Sequence, residues 1–471
     1  MWDLPDPMPA WLSNLLPILL LLGAIALVLW RLPSVELGHS EAFKRRRFWN
    51  WFPLGMVYAF LYFGRYNVNA LTSALGSNNK EFGIIFAVGT IIYGVSFLIN
   101  GPLTDKLGGR TTILISALGA ALSNLAMAAV VYAERGAGLS LPGGLMPWLA
   151  VLYALDMYFQ SFGAVSIVKV NAAWFHVRER GVQGGVFGIL ISLGVYFGYD
   201  WSEAIAKGLP TQPWMIALIP AVVLLAAFAA AFALVRDNPS DTGHPDFEVG
   251  DDSSAIDEKA NVVQVFVKML TNPVILVIVG IEFCTGFLRN GVMSWYPKFS
   301  KAVEWQGDFV SKNWGLLLCV FGIIGGMFAG LISDKVFHSR RGPVASVLYG
   351  GITAGAIAMY FGLTYHWVGW VLIFMALNYV GVHGMLSGTA SADFGGKKNA
   401  GVAVGIIDGF VYLGTGLQSL IVSRVLPEGD AAKIPANWIN WPTAMVPVAV
   451  VGLLLCTRVW NARPQSKNAP H

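Results

Sequence analysis

Apolar residues run along this chain in blocks of about twenty, parted by short polar stretches. A block of that length in helical form crosses the hydrocarbon core of a bilayer. Helices are expected because lipid offers no partner to a bare backbone amide. The pattern predicts a leading span near 12–30. It then predicts six spans near 49–75, 82–103, 111–133, 147–174, 182–206 and 213–235. Six more follow near 272–298, 312–333, 343–364, 367–391, 401–426 and 440–459. The stretch 236–262 breaks the pattern, with Asp237, Asp241, Asp246, Glu248, Asp251, Asp252, Asp257, Glu258 and two prolines. This is the composition of a solvated linker. Residues 262–270 follow it with the pattern of a short interfacial helix.

The expected organisation is an all-α membrane protein: two six-helix bundles in pseudo-two-fold repeat, plus one extra N-terminal transmembrane helix. Residues 1–31 hold the extra helix, 32–48 a basic connector, 49–235 the first bundle, 236–271 the linker, 272–460 the second bundle and 461–471 a tail. Asp3 and Asp6 precede the leading apolar run and Arg31 follows it. A cleaved signal peptide has basic residues before its apolar run and small residues after it, so an uncleaved helix is expected.

Composition agrees with the membrane reading. Hydrophobic residues make up 55% of the chain and charged residues 12%, against about 25% charged in soluble domains. The placement of charge is more informative than the net value of +4. Lys44–Arg47, Lys106 with Arg110, Arg178 with Arg180, Lys335 with Arg340 and Arg341, and Lys397 with Lys398 occupy alternate loops. Arg458, Arg463 and Lys467 close the chain. Basic residues gather on the cytoplasmic side. The expectation is a bacterial inner membrane protein with its N-terminus outside and its C-terminus in the cytoplasm. No phosphate-binding Walker loop, HExxH or strand–turn–helix GxSxG is present, so the chain reads as a non-enzyme without a cofactor. Cys284, Cys319 and Cys456 form no CxxC pair, and neither a metal nor a disulfide framework is expected. The basic residues follow the topology, not a nucleic-acid stripe.

The two sets of spans repeat. Gly181, Val182, Gly185, Leu193 and Gly194 match Gly401, Val402, Gly405, Leu413 and Gly414 one for one in spacing. The loop Gly101–Arg110 is echoed by Gly330–Gly342 through Gly-x-x-x-Asp-Lys, and Arg65 is echoed by Arg289. Parallel repeats place a binding site between the halves near the midplane. Asp105, Arg110, Asp334 and Arg341 fall at helix ends, where a carboxylate can pair with an arginine, cap a neighbouring helix and hold one conformation shut.

Arg65 and Arg289 lie inside spans. A charge at that depth costs about 2.5–3.5 kcal/mol on the insertion scale. It needs a partner or a wet cavity. The guanidinium fork suits phosphate oxygens, so one fork from each half would grip an anion; the alternative is pairing with an acid. Tyr58 and Tyr62 share the face of Arg65 by helical spacing, and Tyr93 is a similar candidate. Each binds or packs. Asp156, Glu282 and Asp408 are also embedded, as are Lys169 and His383. The three acids offset Arg65, Lys169 and Arg289. They either pair with the bases or serve proton coupling, which opens the way to a zwitterionic substrate.

The chain resembles the organophosphate:phosphate antiporters of the major facilitator superfamily over residues 49–460. The resemblance rests on Tyr62-x-x-Arg65-x-Asn67, Tyr93-Gly94-x-Ser96, Phe159-Gln160, Arg178-Glu179-Arg180-Gly181, Leu288-Arg289-x-Gly291, Trp295-x-Pro297, Ser333-Asp334-Lys335-Val336-Phe337 with Arg341-Gly342, and Lys397-Lys398-x-Ala400-Gly401. It implies exchange of an organophosphate for phosphate by alternating access. Arg65 and Arg289 would bind the phosphoryl group, and Tyr58, Tyr62, Tyr93, Asn67 and Gln160 would shape the pocket. Some relatives carry a cation at the place of Lys169. Two departures stand out: Phe97 where a lysine is common, and Ile191 where sugar-phosphate carriers have histidine. Two other readings stay open: a proton-coupled carrier using Glu282 or Asp408, and a sugar-phosphate sensor with a signalling partner. The expected partners are a small anionic substrate and the bilayer, the chain itself being monomeric.

Overall fold

The computed structural model describes residues 38–176, 179–247, 262–337 and 341–460, with Leu19 and Gly23. The leading helix expected at 12–30, Arg178, the acids from Glu248 to Glu258, Arg340 and the tail beyond 460 lie outside the described residues. So do the side chains of Arg180, Asp334, Lys335, Lys397 and Lys398. All regular structure among the described residues is helical.

The first half contains α1 (Glu41–Ala74), α2 (Asn79–Leu107), α3 (Gly109–Val131), α4 (Leu145–Trp174), α5 (Arg180–Tyr196) and α6 (Met215–Leu234). A linker helix, Val262–Leu270, precedes the second half. There follow α7 (Pro273–Ala302), α8 (Trp314–Lys335), α9 (Arg341–Gly362), α10 (Val368–Ser387), α11 (Gly405–Val425) and α12 (Asn440–Arg458). Nine of these are long and apolar enough to cross a membrane by themselves. Of the other three, α1 carries Lys44–Arg47 in its first two turns and Arg65, Asn67 and Asn69 in its interior, α5 runs into a π turn at Phe197–Trp201, and α8 is apolar over its described stretch Trp314–Ala329.

Local chemistry sets several helix starts. Ser40 accepts from the Phe43 amide at 3.2 Å. Asn78 and Glu81 form a reciprocal capping box at 2.8 and 3.0 Å. Asn272 caps α7 with Pro273 as its first helical residue. Such caps satisfy the orphan amides of the first turn. Between α10 and α11 the chain doubles back. Ser387 and Asp408 would be about 30 Å apart along one straight helix, yet their side chains are hydrogen-bonded.

Within the first half α3 packs on α6 and α4, and α1 on α6 and α5. In the second half α12 packs on α9 and α7. The halves meet along two seams, α2 with α11 and α5 with α8. Advancing each member of one seam by six helices gives the other, which is the signature of a two-fold axis between the bundles. Many large apolar side chains, among them Ile99, Val151, Phe361 and Leu454, remain exposed on the outer surface. A surface of that kind is suited to lipid. The end carrying residues 41–50, 101–110 and 235–247 is called the linker end, and the opposite one the far end.

Candidate functional site

At the centre, Arg65 projects from α1 and is 1% exposed. Its Nε donates to Gln160 Oε1 at 2.9 Å, Nη1 to the Tyr412 hydroxyl at 2.6 Å and Nη2 to the Tyr93 hydroxyl at 3.1 Å. The rings of Tyr62 and Tyr93 lie 4.5 Å from its guanidinium carbon. Neutral oxygens and π faces thus hold a buried cation without any acid touching it.

Behind this cage runs a line of polar side chains. Gln160 Nε2 donates to Asp156 Oδ2 at 2.6 Å, and Asn124 Nδ2 donates to Asp156 Oδ1 at 3.1 Å. Asn67 Nδ2 donates to Asn124 Oδ1 at 2.8 Å and to the Ile216 carbonyl at 3.2 Å. Asp156 therefore orients Gln160, which leaves its carbonyl oxygen for Arg65. Asn67 points away from the Arg65 cage, toward α3 and α6.

Arg289 approaches from α7. Its guanidinium carbon is 5.2 Å from the centre of the Tyr412 ring, whose hydroxyl bonds Arg65. One tyrosine of α11 thus separates the two arginines. Phenols of Tyr62, Tyr66 and Tyr379 also surround Arg289. Among the described residues its guanidinium has no hydrogen-bond or ion-pair partner. It is the cation of the centre left with donors to offer.

The second half adds an acid–base group. Glu282 Oε2 lies 2.9 Å from His383 Nδ1, and Asp408 accepts from Ser387 Oγ. Glu282 is fully buried, whereas the His383 side chain is 29% exposed. These groups and Arg289 lie close enough to act on one another electrostatically.

Tyr58 packs against Tyr62, ring centres 5.4 Å apart. Its hydroxyl, like that of Tyr62, has no hydrogen bond among the described residues. Lys169 stands apart from the arginines, at the linker end. There its Nζ pairs with Asp105 Oδ1 at 2.9 Å and bridges α4 to α2. The Arg110 amide donates to Asp237 Oδ1 at 2.8 Å, so Asp237 caps α3, and its guanidinium reaches the carbonyls of Val235 and Phe232. Asp105 thus pairs with a lysine rather than an arginine, and the helix cap comes from Asp237. Arg47 Nη1 braces Glu179 at 2.9 Å nearby. Arg341 starts α9, and Asp334 lies where side chains are not described.

A cavity of about 890 Å³ opens at the far end rather than at the arginines. Asn69, Ser73, Tyr199, Asp200, Lys298 and Lys301 line it. Tyr199 stacks on Tyr66 at 5.3 Å, and Tyr66 lies against Tyr62 at 5.9 Å. The aromatic stack stands between the cavity and the Arg65 cage. Polar contacts also tie the halves at this end. Lys301 Nζ donates to Ser73 Oγ at 2.6 Å, Asn79 Nδ2 to the Pro427 carbonyl at 2.9 Å, and the Gly315 and Leu316 amides to Asp200 at 2.7 and 2.9 Å.

Tyr412, Asn124, Ser387 and Asp200 are absent from the residues expected from the sequence. Tyr412 was detectable, since it stands four residues after Asp408 and so on the same face of α11. Asn124 and Asp200 offer no such local signal, because their partners lie on other helices.

Comparison with known proteins agrees with this architecture. A probable hexose phosphate transport protein of Chlamydia pneumoniae is 22% identical over 461 residues, covering 91% of this chain and 95% of its own length. The glycerol-3-phosphate transporter of Bacillus subtilis is 22% identical, covering 92% of this chain and 96% of its own. The membrane sensor protein UhpC of Escherichia coli is 26% identical, covering 82% and 88%. Among solved structures, an inward-facing, unoccupied bacterial homologue of the transporter Spinster superposes with a TM-score of 0.63 at 13% identity, covering 91% of this chain and all of that one. A D-xylose–proton symporter superposes with a TM-score of 0.63 at 16% identity, covering 88% and 98%. These relatives and folds are those of transporters and a sensor, not of enzymes. The Major Facilitator Superfamily profile matches residues 54–419. With its all-helical two-bundle fold, the chain belongs to the Major Facilitator Superfamily, and its relatives fit the organophosphate:phosphate antiporter group.

Proposed function

We propose that this protein exchanges an organophosphate, a sugar phosphate or glycerol-phosphate-like anion, for inorganic phosphate by alternating access. The observation that carries the reading is the unequal condition of the two central arginines. Arg65 is saturated by Gln160, Tyr93 and Tyr412, while Arg289 keeps its donors free beside the same Tyr412 ring. A phosphoryl group entering here takes the free fork of Arg289 and replaces the Tyr412 hydroxyl on Arg65. The exchange of one neutral oxygen for charged ones strengthens the hydrogen bonds. The anion then ties α1 of one half to α7 of the other and favours closure around itself. The relatives named for hexose phosphate and glycerol 3-phosphate support this substrate class.

In this reading the linker end faces the cytoplasm and the far end the outside of a bacterial inner membrane, as the loop lysines and arginines favour. Asp105–Lys169 and Arg47–Glu179 then brace the cytoplasmic end of the first half.

The test is counterflow in liposomes loaded with phosphate, with labelled phosphate outside. Wild-type protein is expected to exchange, and Arg289→Lys to lose at least about tenfold, since a point charge cannot replace a bidentate fork. Exchange by Arg289→Lys at the wild-type rate overturns the assignment. Tight phosphate binding without any flux favours the sensor, in line with the similarity to UhpC.

A further inference from the structure

The acid–base group of the second half has no place in a bare two-arginine mechanism. Glu282 sits on α7 two turns before Arg289, on the same face. It is 0% exposed, with Oε2 engaged by His383 Nδ1 at 2.9 Å and Oε1 buried without a partner among the described residues. An ionised carboxylate so placed is costly unless a cation stands beside it. Among the ionisable side chains of the described residues His383 alone touches it, and the His383 side chain is 29% exposed. The pair thus consists of a sealed carboxylate behind an accessible imidazole. A carboxylate of that kind fixes the ring and stabilises its charged form.

The surroundings restrict where a proton can rest. From α7 come Arg289 and Cys284, and from α9 comes Tyr349, whose hydroxyl donates to the Ile281 carbonyl at 3.1 Å. From α11 come Asp408 and Tyr412, and from α12 comes Cys456. On α10 itself Tyr379 lies one turn away. Between Cys319 and Ser333, α8 carries no ionisable residue. Asp408 is half-buried and already accepts from Ser387 Oγ.

Charge balance supplies the argument. Arg65 and Arg289 contribute two positive charges at the centre, and the carboxyl groups of Glu282, Asp408 and, behind Gln160, Asp156 oppose them. A phosphoryl dianion entering this group therefore leaves it with an excess of negative charge. Like charges gathered in a buried, low-dielectric centre repel one another. A proton on the imidazole relieves that repulsion, and it also gives His383 a second N–H to offer the anion.

Resting on the phosphate reading above, we propose that the Glu282–His383 pair is the proton-coupling site, taking up one proton from water when a phosphoryl group binds and returning it on release. The proton adds to the imidazole lone pair on Nε2, while the Nδ1 side stays engaged with Glu282. No other bond forms or breaks. Transport of the phosphoryl group then carries a proton with it and responds to a pH gradient as well as to a phosphate gradient.

The test measures inorganic phosphate binding to the purified full-length protein by equilibrium dialysis from pH 8 to 9.5, where the free ligand is essentially the dianion. Wild type, His383→Gln, Glu282→Gln and Asp408→Asn are compared, after thermal melting has shown each variant folded. Uptake of one linked proton weakens wild-type binding about tenfold per pH unit. His383→Gln and Glu282→Gln are expected to bind phosphate with that slope abolished, and Asp408→Asn to keep it. If wild type binds phosphate with no slope, or both dyad variants keep it, the proton assignment fails and the phosphate reading stands. Loss of the slope in Asp408→Asn alone also overturns it. If wild type binds no phosphate at any pH, the phosphate reading fails, and this inference with it.

Discussion

The polar line behind Arg65 ranks what each side chain contributes. Gln160 is the hinge of that line, because its carbonyl faces Arg65 and its amide faces Asp156. Gln160→Leu leaves a buried guanidinium N–H and a buried carboxylate each short of a partner. The loss of a hydrogen bond to a charged group costs about 1.5–3 kcal/mol. We expect phosphate affinity to fall at least about tenfold, measured by equilibrium dialysis with the melting temperature recorded beside it. Unchanged affinity would show that the cage tolerates a freely turning Arg65. The sequence placed Asp156 and Gln160 four residues apart, hence on one face of α4, but it could not say that Gln160 would stand between the acid and the arginine. It held more about Asn67 than the motif suggested. Two residues advance a helix by about 200°, so Asn67 and Arg65 face opposite ways, and Asn67 meets Asn124 instead.

At the scale of the element, the end of α5 joins the two halves. Its π turn, Phe197–Trp201, carries Asp200, whose two oxygens accept from the first amides of α8 at 2.7 and 2.9 Å. A carboxylate at a helix N-terminus satisfies orphan amides and meets the positive end of the helix dipole. This cap is unusual in coming from the opposite bundle, so it also acts as a latch at the far end. Asp200→Ala is expected to cost about 0.5–2 kcal/mol of cap energy and to shift the protein toward separation at that end. The readout is the rate at which a water-soluble maleimide labels a cysteine placed at Ser73, which lines the far-end cavity. Faster labelling supports the latch, and an unchanged rate rejects it. Nothing near Asp200 in sequence announces this role, since Gly315 lies 115 residues away. The helices themselves were legible, because lipid forces an apolar period on each. What they hold across the interface was not.

The whole molecule works only if its halves can both touch and part. The internal repeat made the two-bundle plan readable before any coordinate, and the paired seams of α2 with α11 and α5 with α8 express it. How closely the seams approach depends on residues that a hydropathy pattern ignores. Gly94 and Gly409 face each other backbone to backbone: a Cβ on Gly94 would stand 2.7 Å from the Gly409 carbonyl oxygen, and one on Gly409 would stand 2.9 Å from that of Gly94. Real Cβ atoms do not come so near to backbone, which cannot swing aside as a side chain does. Gly94→Val therefore holds α2 and α11 apart and loosens Tyr93 and Tyr412 around Arg65, while both arginines and the interior of each bundle keep their own residues. If closure along this seam is one of the two states of the cycle, the variant binds phosphate, melts near the wild-type temperature and exchanges at less than about a tenth of the wild-type rate. The labelling rate at Ser73 should also rise, as with Asp200→Ala, because both changes oppose closure between the halves, one at the α2–α11 seam and the other at the α5–α8 seam. Normal exchange by Gly94→Val would instead mean that the seam never needs to close as tightly as it does here, and that rocking about the two arginines alone carries the transport step.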